Sequence, residues 1–259
     1  MPKPTCQDVS VLRITPHGPE GLSHGLWLIE LENPGWQAVR PGQFAMLRPT
    51  AWGFEPLWAR PFSICRATPE RLAFLIQAVG RGTRLLTGLK QGDTVTVWGP
   101  LGHAFNTEPG VRTLMLAGGV GIAPFVEYSA AHPTPSNLTL LFGHRPPLSC
   151  YPYEDITRLA AASAFRETSP QDIPLFVARI EEAMADHAGG LALACGPTPF
   201  LRTVRNAALK LGVRCQLSLE NRMACGIGAC LGCVATDSEG HHVQSCTRGP
   251  VFWANEITL

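Results

Sequence analysis

Apolar and polar residues alternate over short distances in the first part of the chain. Strand-like runs at 9–14, 26–31, 44–48, 72–77 and 94–98 are separated by turns rich in proline and glycine. Spacing of this kind predicts a small antiparallel barrel over residues 1–104. One helical segment is expected at 82–88, with Leu85 and Leu86 turned inward.

The period changes after Asn106-Thr107-Glu108-Pro109-Gly110, which reads as a linker. Strand-like runs at 112–117, 138–142 and 191–195 now alternate with helical ones at 124–131 and 199–211. In the last of these Phe200, Leu201, Val204, Ala208 and Leu211 recur at helical spacing. Strand–helix alternation predicts a parallel sheet over 105–214. Residues 215–259 hold a glycine- and cysteine-rich loop and a hairpin turn at Asp237-Ser238-Glu239-Gly240. The expected fold is therefore multidomain, combining α+β and α/β parts: an antiparallel barrel, a parallel-sheet domain and a small C-terminal domain.

Composition narrows the partners. A net charge of +1 argues against nucleic acid or an acidic membrane surface. No apolar run approaches the roughly 20 residues of a membrane span. The start, Met1-Pro2-Lys3-Pro4-Thr5-Cys6, lacks the apolar core of a secretory signal. Five cysteines (Cys6, Cys65, Cys150, Cys195 and Cys215) are scattered singly, which suits a reducing cytoplasm.

The other four cysteines carry the strongest chemistry. Cys225, Cys230 and Cys233 are spaced C-x4-C-x2-C, and Cys246 follows after twelve residues. This is plant-type [2Fe–2S] spacing, in which four thiolates hold two irons. The alternative is a four-cysteine zinc site, although structural zinc usually takes paired knuckles. The interleaved Gly226, Gly228 and Gly232 let the loop wrap tightly and turn backbone N–H groups towards sulfur.

Two turns in the second domain share one design: an apolar strand, a tight glycine or proline turn, then a helix start. They are Gly118-Gly119-Val120-Gly121-Ile122-Ala123-Pro124 and Cys195-Gly196-Pro197-Thr198-Pro199. Glycines let a ligand lie against the backbone, and the helix start offers free N–H groups to phosphate. Thr198 is expected to cap its helix. The first turn reads G-x-G-x-x-P, departing from the dinucleotide fingerprint, and many such turns bind nothing. Together they point to a crevice at the strand C-termini. In the first domain Arg60-Pro61-Phe62-Ser63 offers a fork of phosphate donors and a hydroxyl. Gly80-Arg81-Gly82-Thr83 offers small backbone at a helix start. Composition alone would make Arg60 an ordinary exposed residue. His241-His242 reads as a solvated turn.

Arg60-Pro61-Phe62-Ser63, Gly82-Thr83, Gly99-Pro100-Leu101-Gly102, the 118–124 turn and Cys195-Gly196-Pro197, in that order, resemble the ferredoxin–NADP reductase superfamily. The segment from Leu219 to Cys233, closing with Cys246 and Gly249-Pro250-Val251-Phe252, resembles the electron-transfer subunits of two-component dihydroorotate dehydrogenases. The resemblance implies FAD on the barrel, NAD on the parallel-sheet domain and the [2Fe–2S] cluster in the C-terminal domain. It also implies a partner subunit that holds FMN and oxidises dihydroorotate in pyrimidine synthesis. The other system with these cofactors would be a diaphorase-like subunit of a hydrogenase, sulfur reductase or electron-bifurcating complex.

The residue roles follow from the same likeness. Arg60 lies at the flavin phosphates and Ser63 near the isoalloxazine, with Pro61 and Phe62 between them. Leu75, Ile76 and Gln77 line the flavin, and Gly82 and Thr83 hold its pyrophosphate. Gly118, Gly119 and Gly121, with Cys195, Gly196 and Pro197, flank the nicotinamide nucleotide. Cys225, Cys230, Cys233 and Cys246 ligate the cluster, and no catalytic acid or base is implied. Two features depart from the family. The interval from Ala164 to Pro174 lacks the loop that helps hold the adenosine end, and a tryptophan-rich insertion runs from Trp52 to Trp58.

Overall fold

The structure is a computed structural model that describes residues 3–18 and 24–259. Its first part is a seven-stranded antiparallel sheet curled into a half-barrel. The strands are β1 (Thr5–Pro16), β2 (Leu26–Glu32), β3 (Phe44–Pro49), β4 (Arg60–Ser63), β5 (Arg66–Ala67), β6 (Arg71–Gln77) and, after helix α1 (Arg81–Thr87), β7 (Thr94–Leu101). Their order is β4-β3-β7-β1-β2-β6-β5. Pro61 is tolerated because β4 is an edge strand, where a missing N–H costs no ladder bond. Alternate residues such as Val9, Ile29, Leu31, Leu47, Phe74, Ile76 and Val97 fill the interior. Leu86 is fully buried beneath α1, but Leu85 is exposed, against expectation. Neighbours on a helix are about 100° apart, so one short helix cannot bury both.

The second sheet is built from β8 (Thr113–Gly118), β9 (Leu138–His144), β10 (Ala161–Arg166), β11 (Leu191–Cys195), β12 (Arg214–Ser218) and a later strand described below. These five are mutually parallel, in the order β10-β9-β8-β11-β12. Every residue of β8 is buried, as a central strand covered on both faces requires. Helices α2 (Ala123–Ala131) and α3 (Tyr153–Thr157) cover one face. Helices α4 (Asp172–Asp186) and α5 (Thr198–Leu211) cover the other.

Three details differ from the sequence expectation. Residues 161–166 form β10, whose half-exposed, alanine-rich pattern carries little strand signal. The interval that follows closes through the Asp172 carboxylate, which accepts the N–H groups of Thr168 (2.7 Å) and Ser169 (2.8 Å) and so shapes the entry to α4. Thr198 is the first helical residue of α5 rather than its cap. Pro197 occupies the cap position, with ψ of 152°, and no side-chain cap bond forms.

The C-terminal region begins inside this sheet. The chain leaves β12 at Ser218 and returns as β15 (Val251–Trp253), antiparallel to β12 with Ser218 opposite Val251. The expected boundary at 215 thus falls within β12. Between departure and return lie the cysteine loop and the hairpin of β13 (Val234–Asp237) and β14 (His242–Gln244), and β16 (Ile257–Thr258), beyond the return, completes a small antiparallel sheet by pairing with β13. The hairpin turn at 237–240 is present: the Asp237 carboxylate accepts the N–H groups of Glu239 and His241, and Gly240 adopts φ of 87°. The linker is held, not loose. Asn106 exchanges two hydrogen bonds with buried Gln216, and its carbonyl accepts the Tyr128 hydroxyl (2.7 Å).

Candidate functional site

The cysteine loop folds around its sulfurs. Gly226 (φ 73°), Gly228 (φ 81°) and Leu231 (φ 55°) adopt left-handed backbone, which curls the loop inward. The Gly228 N–H then points at the Cys246 sulfur (3.1 Å), and those of Ile227 and Cys230 at the Cys225 sulfur (3.4 Å each). Burial works against ionisation of Cys225, but the surrounding N–H groups and the Cys230 thiol prevail and bring its pKa down to about 7. Cys246 is pushed the other way, to about 12, by burial and by its neighbour Cys233. Among the described residues no three His, Cys, Asp or Glu side chains converge as ligands of one ion. Cys230 lies beside Cys225 and Cys233 beside Cys246, with Cys225 near enough to act on Cys246. Two pairs of thiols with N–H groups aimed at sulfur fit a binuclear cluster.

The loop rests on the outer face of the barrel. Strands β3 and β7 bury both faces: Ala45, Leu47, Val95 and Val97 point into the barrel, whereas Phe44, Met46, Trp98 and Leu101 point outward. The outward set packs against Cys233, Cys246 and Ala59. The Trp98 indole N–H donates to the Cys225 carbonyl oxygen (2.9 Å). A Cβ on Gly226 would lie 2.6 Å from Met46 Cγ, so glycine lets the loop seat this closely.

Ala59 leads directly into the predicted flavin motif. The Arg60 guanidinium lies over Gly82, where an added Cβ would sit 2.7 Å from its Nε. It stacks on Trp52, 6.0 Å from the ring centroid, and donates to the Trp58 carbonyl (2.7 Å). At the α1 start the Thr83 hydroxyl accepts the Gly80 N–H (3.0 Å), and nothing stands above Gly80. A fixed guanidinium beside a helix start whose first N–H groups lack intrahelical partners is a cradle suited to a pyrophosphate. Pro61, Phe62 and Ser63 are half-buried along β4, with Ser63 opposite Phe44. Ile76 turns its side chain into the barrel core. Leu75 points the opposite way, into the cluster holding Ala117, Ile122 and Ala123, and Gln77 is half-buried at the strand end.

That contact brings β6 to the glycine turn. Residues 119–122 form a single tight 3-10 turn between β8 and α2, with Gly119 at φ 55° and open space beyond it. A Cβ on Gly121 would strike the Cys195 carbonyl, and one on Gly118 would meet Pro197 and Phe200 at 3.2 Å. The two turns therefore touch, at the C-terminal ends of β8 and β11, where the strand order reverses. Parallel sheets bind nucleotides at such a switch point. Gly196 lies against Gly118 in the same contact. The Cys195 thiol is pushed up to about 12, chiefly by burial, so it is held neutral.

Sequence reasoning missed Met46, Trp98 and Glu127. For the first two a signal existed: the continuous apolar run Phe44-Ala45-Met46-Leu47 marks a strand buried on both faces. Glu127 carried none, being one carboxylate in an otherwise apolar helix.

Comparison with known proteins agrees with this geometry. Residues 220–258 match the family described as the iron-sulfur cluster binding domain of dihydroorotate dehydrogenase B. The chain is 35% identical over 228 residues to the electron transfer subunit of dihydroorotate dehydrogenase B (NAD(+)) from Caldanaerobacter subterraneus, covering 86% of this chain and 89% of that protein. It is 32% identical over 244 residues to the subunit of the same name from Clostridium acetobutylicum, covering 90% and 92%. Among solved structures, an NADH-dependent reduced ferredoxin-NADP oxidoreductase shares the fold with a TM-score of 0.81 at 23% identity, over 96% of this chain and 89% of that one. The ferredoxin reductase of carbazole 1,9a-dioxygenase follows with a TM-score of 0.65 at 19% identity, over 81% and 67%.

Proposed function

The chain belongs to the family of electron-transfer subunits of dihydroorotate dehydrogenase B, and from that membership we propose that it passes electrons between an FMN-containing catalytic subunit and NAD. The catalytic subunit oxidises dihydroorotate to orotate in pyrimidine synthesis. When bound, FAD and the [2Fe–2S] cluster join the two-electron hydride chemistry of NAD to one-electron transfer.

The chain's own residues bind and position. Cys225, Cys230, Cys233 and Cys246 hold the cluster, and the N–H groups of Ile227, Gly228 and Cys230 stabilise negative charge on its sulfurs. Arg60, Gly82 and Thr83 hold the flavin phosphates, and Pro61, Phe62, Ser63, Leu75, Ile76 and Gln77 border the ring. Gly118, Gly119 and Gly121 with Cys195, Gly196 and Pro197 admit the nicotinamide nucleotide. No side-chain acid or base is required, because hydride and electrons move between cofactors. No described helix is long and apolar enough to cross a membrane, and the singly scattered cysteines support a cytoplasmic setting.

One observation carries this reading. The barrel face that presents Ala59, the residue preceding the flavin-motif arginine, also packs against Cys233 and Cys246 and holds the Cys225 carbonyl through Trp98. The relatives' shared name favours the dihydroorotate reading over a hydrogenase or bifurcating partner. Reconstitution with the FMN subunit should give NAD-dependent oxidation of dihydroorotate, with flavin, iron and sulfide in the purified pair. A pair that carries its cofactors yet leaves dihydroorotate untouched would assign the chain to a different electron donor.

A further inference from the structure

The loop that carries the thiols departs from the nucleotide-binding sheet and returns to it, yet much of its seat is provided by the barrel. Met46 and Trp98 are opposite each other on β3 and β7, on the outward face of the half-barrel. Met46 lies beneath Gly226, and Leu101 flanks it, 3.1 Å from the position a Cβ would take. Gly102 sits so close to the Gly249–Pro250 bond that a Cβ would lie 2.5 Å from Pro250 Cδ. The N–H of His103 donates to the Gly249 carbonyl (2.6 Å). Within this apolar seat, the Trp98 indole N–H is a directional polar bond to the loop backbone, and its acceptor is the carbonyl of Cys225.

We propose that Trp98 is a positioning residue for electron transfer, fixing the cluster loop to the flavin-bearing barrel through the Cys225 carbonyl. The proposal rests on the reading above, in which Cys225 ligates the cluster and Arg60 holds the flavin. Its geometry follows from the strand pairing. Met46 stands opposite Pro61, the residue after Arg60, while its side chain supports Gly226, the residue after Cys225. One strand thus separates the flavin motif from the thiol loop, and the indole bond sets the loop's height above that strand. The nucleotide-binding sheet takes no part in this bond, which ties the loop to the barrel directly.

The test uses the purified chain with its cofactors and compares it with Trp98→Phe, which removes the donor and keeps an aromatic ring. NADH is oxidised by two electrons; one passes to the cluster and the other stays on the flavin when no partner is present. Stopped-flow absorption separates flavin reduction from cluster reduction. Iron and sulfide per flavin, and the rate of flavin reduction by NADH, should be unchanged in the variant. Cluster reduction should slow by about tenfold, the scale expected when reacting groups are slightly misplaced. Hydrogen exchange should quicken in residues 226–232 but not in β8, β11 or β12. Cluster reduction at the wild-type rate with unchanged exchange would overturn the proposal.

Should Trp98→Phe assemble no cluster, Met46→Ala empties the seat beneath Gly226 and leaves the indole bond in place. Trp98→His retains a ring N–H donor, so it and Met46→Ala should both assemble the cluster and reduce it near the wild-type rate if the bond is the fixing element. Tenfold slowing in Met46→Ala, with the indole bond still in place, overturns it. Wild-type protein lacking iron, sulfide and flavin would instead refute the functional reading itself.

Discussion

Glu127, on helix α2, accepts a hydrogen bond from the backbone N–H of Ala67 on the barrel's edge strand β5, at 2.9 Å. The two sheets are thus joined by a buried carboxylate. Burial raises the pKa of Glu127, while the Ala67 N–H and the nearby Arg66 charge oppose the rise. A carboxyl whose folded pKa is raised binds its proton more tightly in the folded state. Its contribution to stability is complete below the unfolded value and is lost as pH rises through the folded value. Glu127→Gln keeps an acceptor for Ala67 without the titration. Thermal melts of the two proteins should diverge as pH rises above the ordinary carboxylate range, with the variant gaining relative to wild type. Parallel curves would show that the carboxylate is not the source.

Gly121 and Gly119 sit in one turn but answer to different constraints. A Cβ on Gly121 would meet the Cys195 backbone, which cannot rotate away. Gly121→Ala should therefore cost roughly 1–3 kcal/mol by overpacking and lower affinity for NADH. Gly119 has open space but a φ of 55°, so Gly119→Ala should cost only about 1 kcal/mol of backbone strain. Denaturant unfolding of both variants checks the order.

Arg60→Lys should release flavin even though charge is preserved. The guanidinium lies flat over Gly82 and also holds the Trp58 carbonyl, and a lysine ammonium cannot reproduce that fork. A lost hydrogen bond to a charged group is worth about 1.5–3 kcal/mol, or roughly a 10- to 150-fold weaker flavin dissociation constant. Fluorescence of flavin released on dilution measures it.

Cys230 is the exposed thiol of the four. Cys230→Ser should remove the cluster's visible bands while leaving flavin reduction by NADH intact, because the two sites share a barrel wall but no ligands. Loss of flavin alone in this variant would contradict the separation. Anaerobic absorption spectra before and after NADH addition decide it.

The iron–sulfur domain was legible because thiolate spacing is set by the metal rather than by the fold. The glycine turns were legible for a related reason: Gly121 has no room for a side chain, whatever the surrounding sequence. Strand β10 was not, since an alanine-rich edge strand with a half-exposed pattern carries neither alternation nor a long apolar run. Leu85 misled because a seven-residue helix gives too few turns to show which of two adjacent leucines faces inward. The two-sided burial of β3 was written in Phe44-Ala45-Met46-Leu47, but periodicity cannot say what covers the second face. Only tertiary structure shows that the cover is the cysteine loop.

The pairing of Ser218 with Val251 has an architectural consequence. The whole iron-binding excursion starts and finishes at one spot on a sheet whose five parallel strands are already complete without it. Such an appendage, together with β16, its partner beyond the return, can be cut away and the ends of β12 and β15 rejoined by a short reverse turn, yielding a cluster-free flavoprotein with the same two lobes. Conversely, a reductase whose sheet ends in a pair joined this way offers a ready socket into which a redox centre can be transplanted.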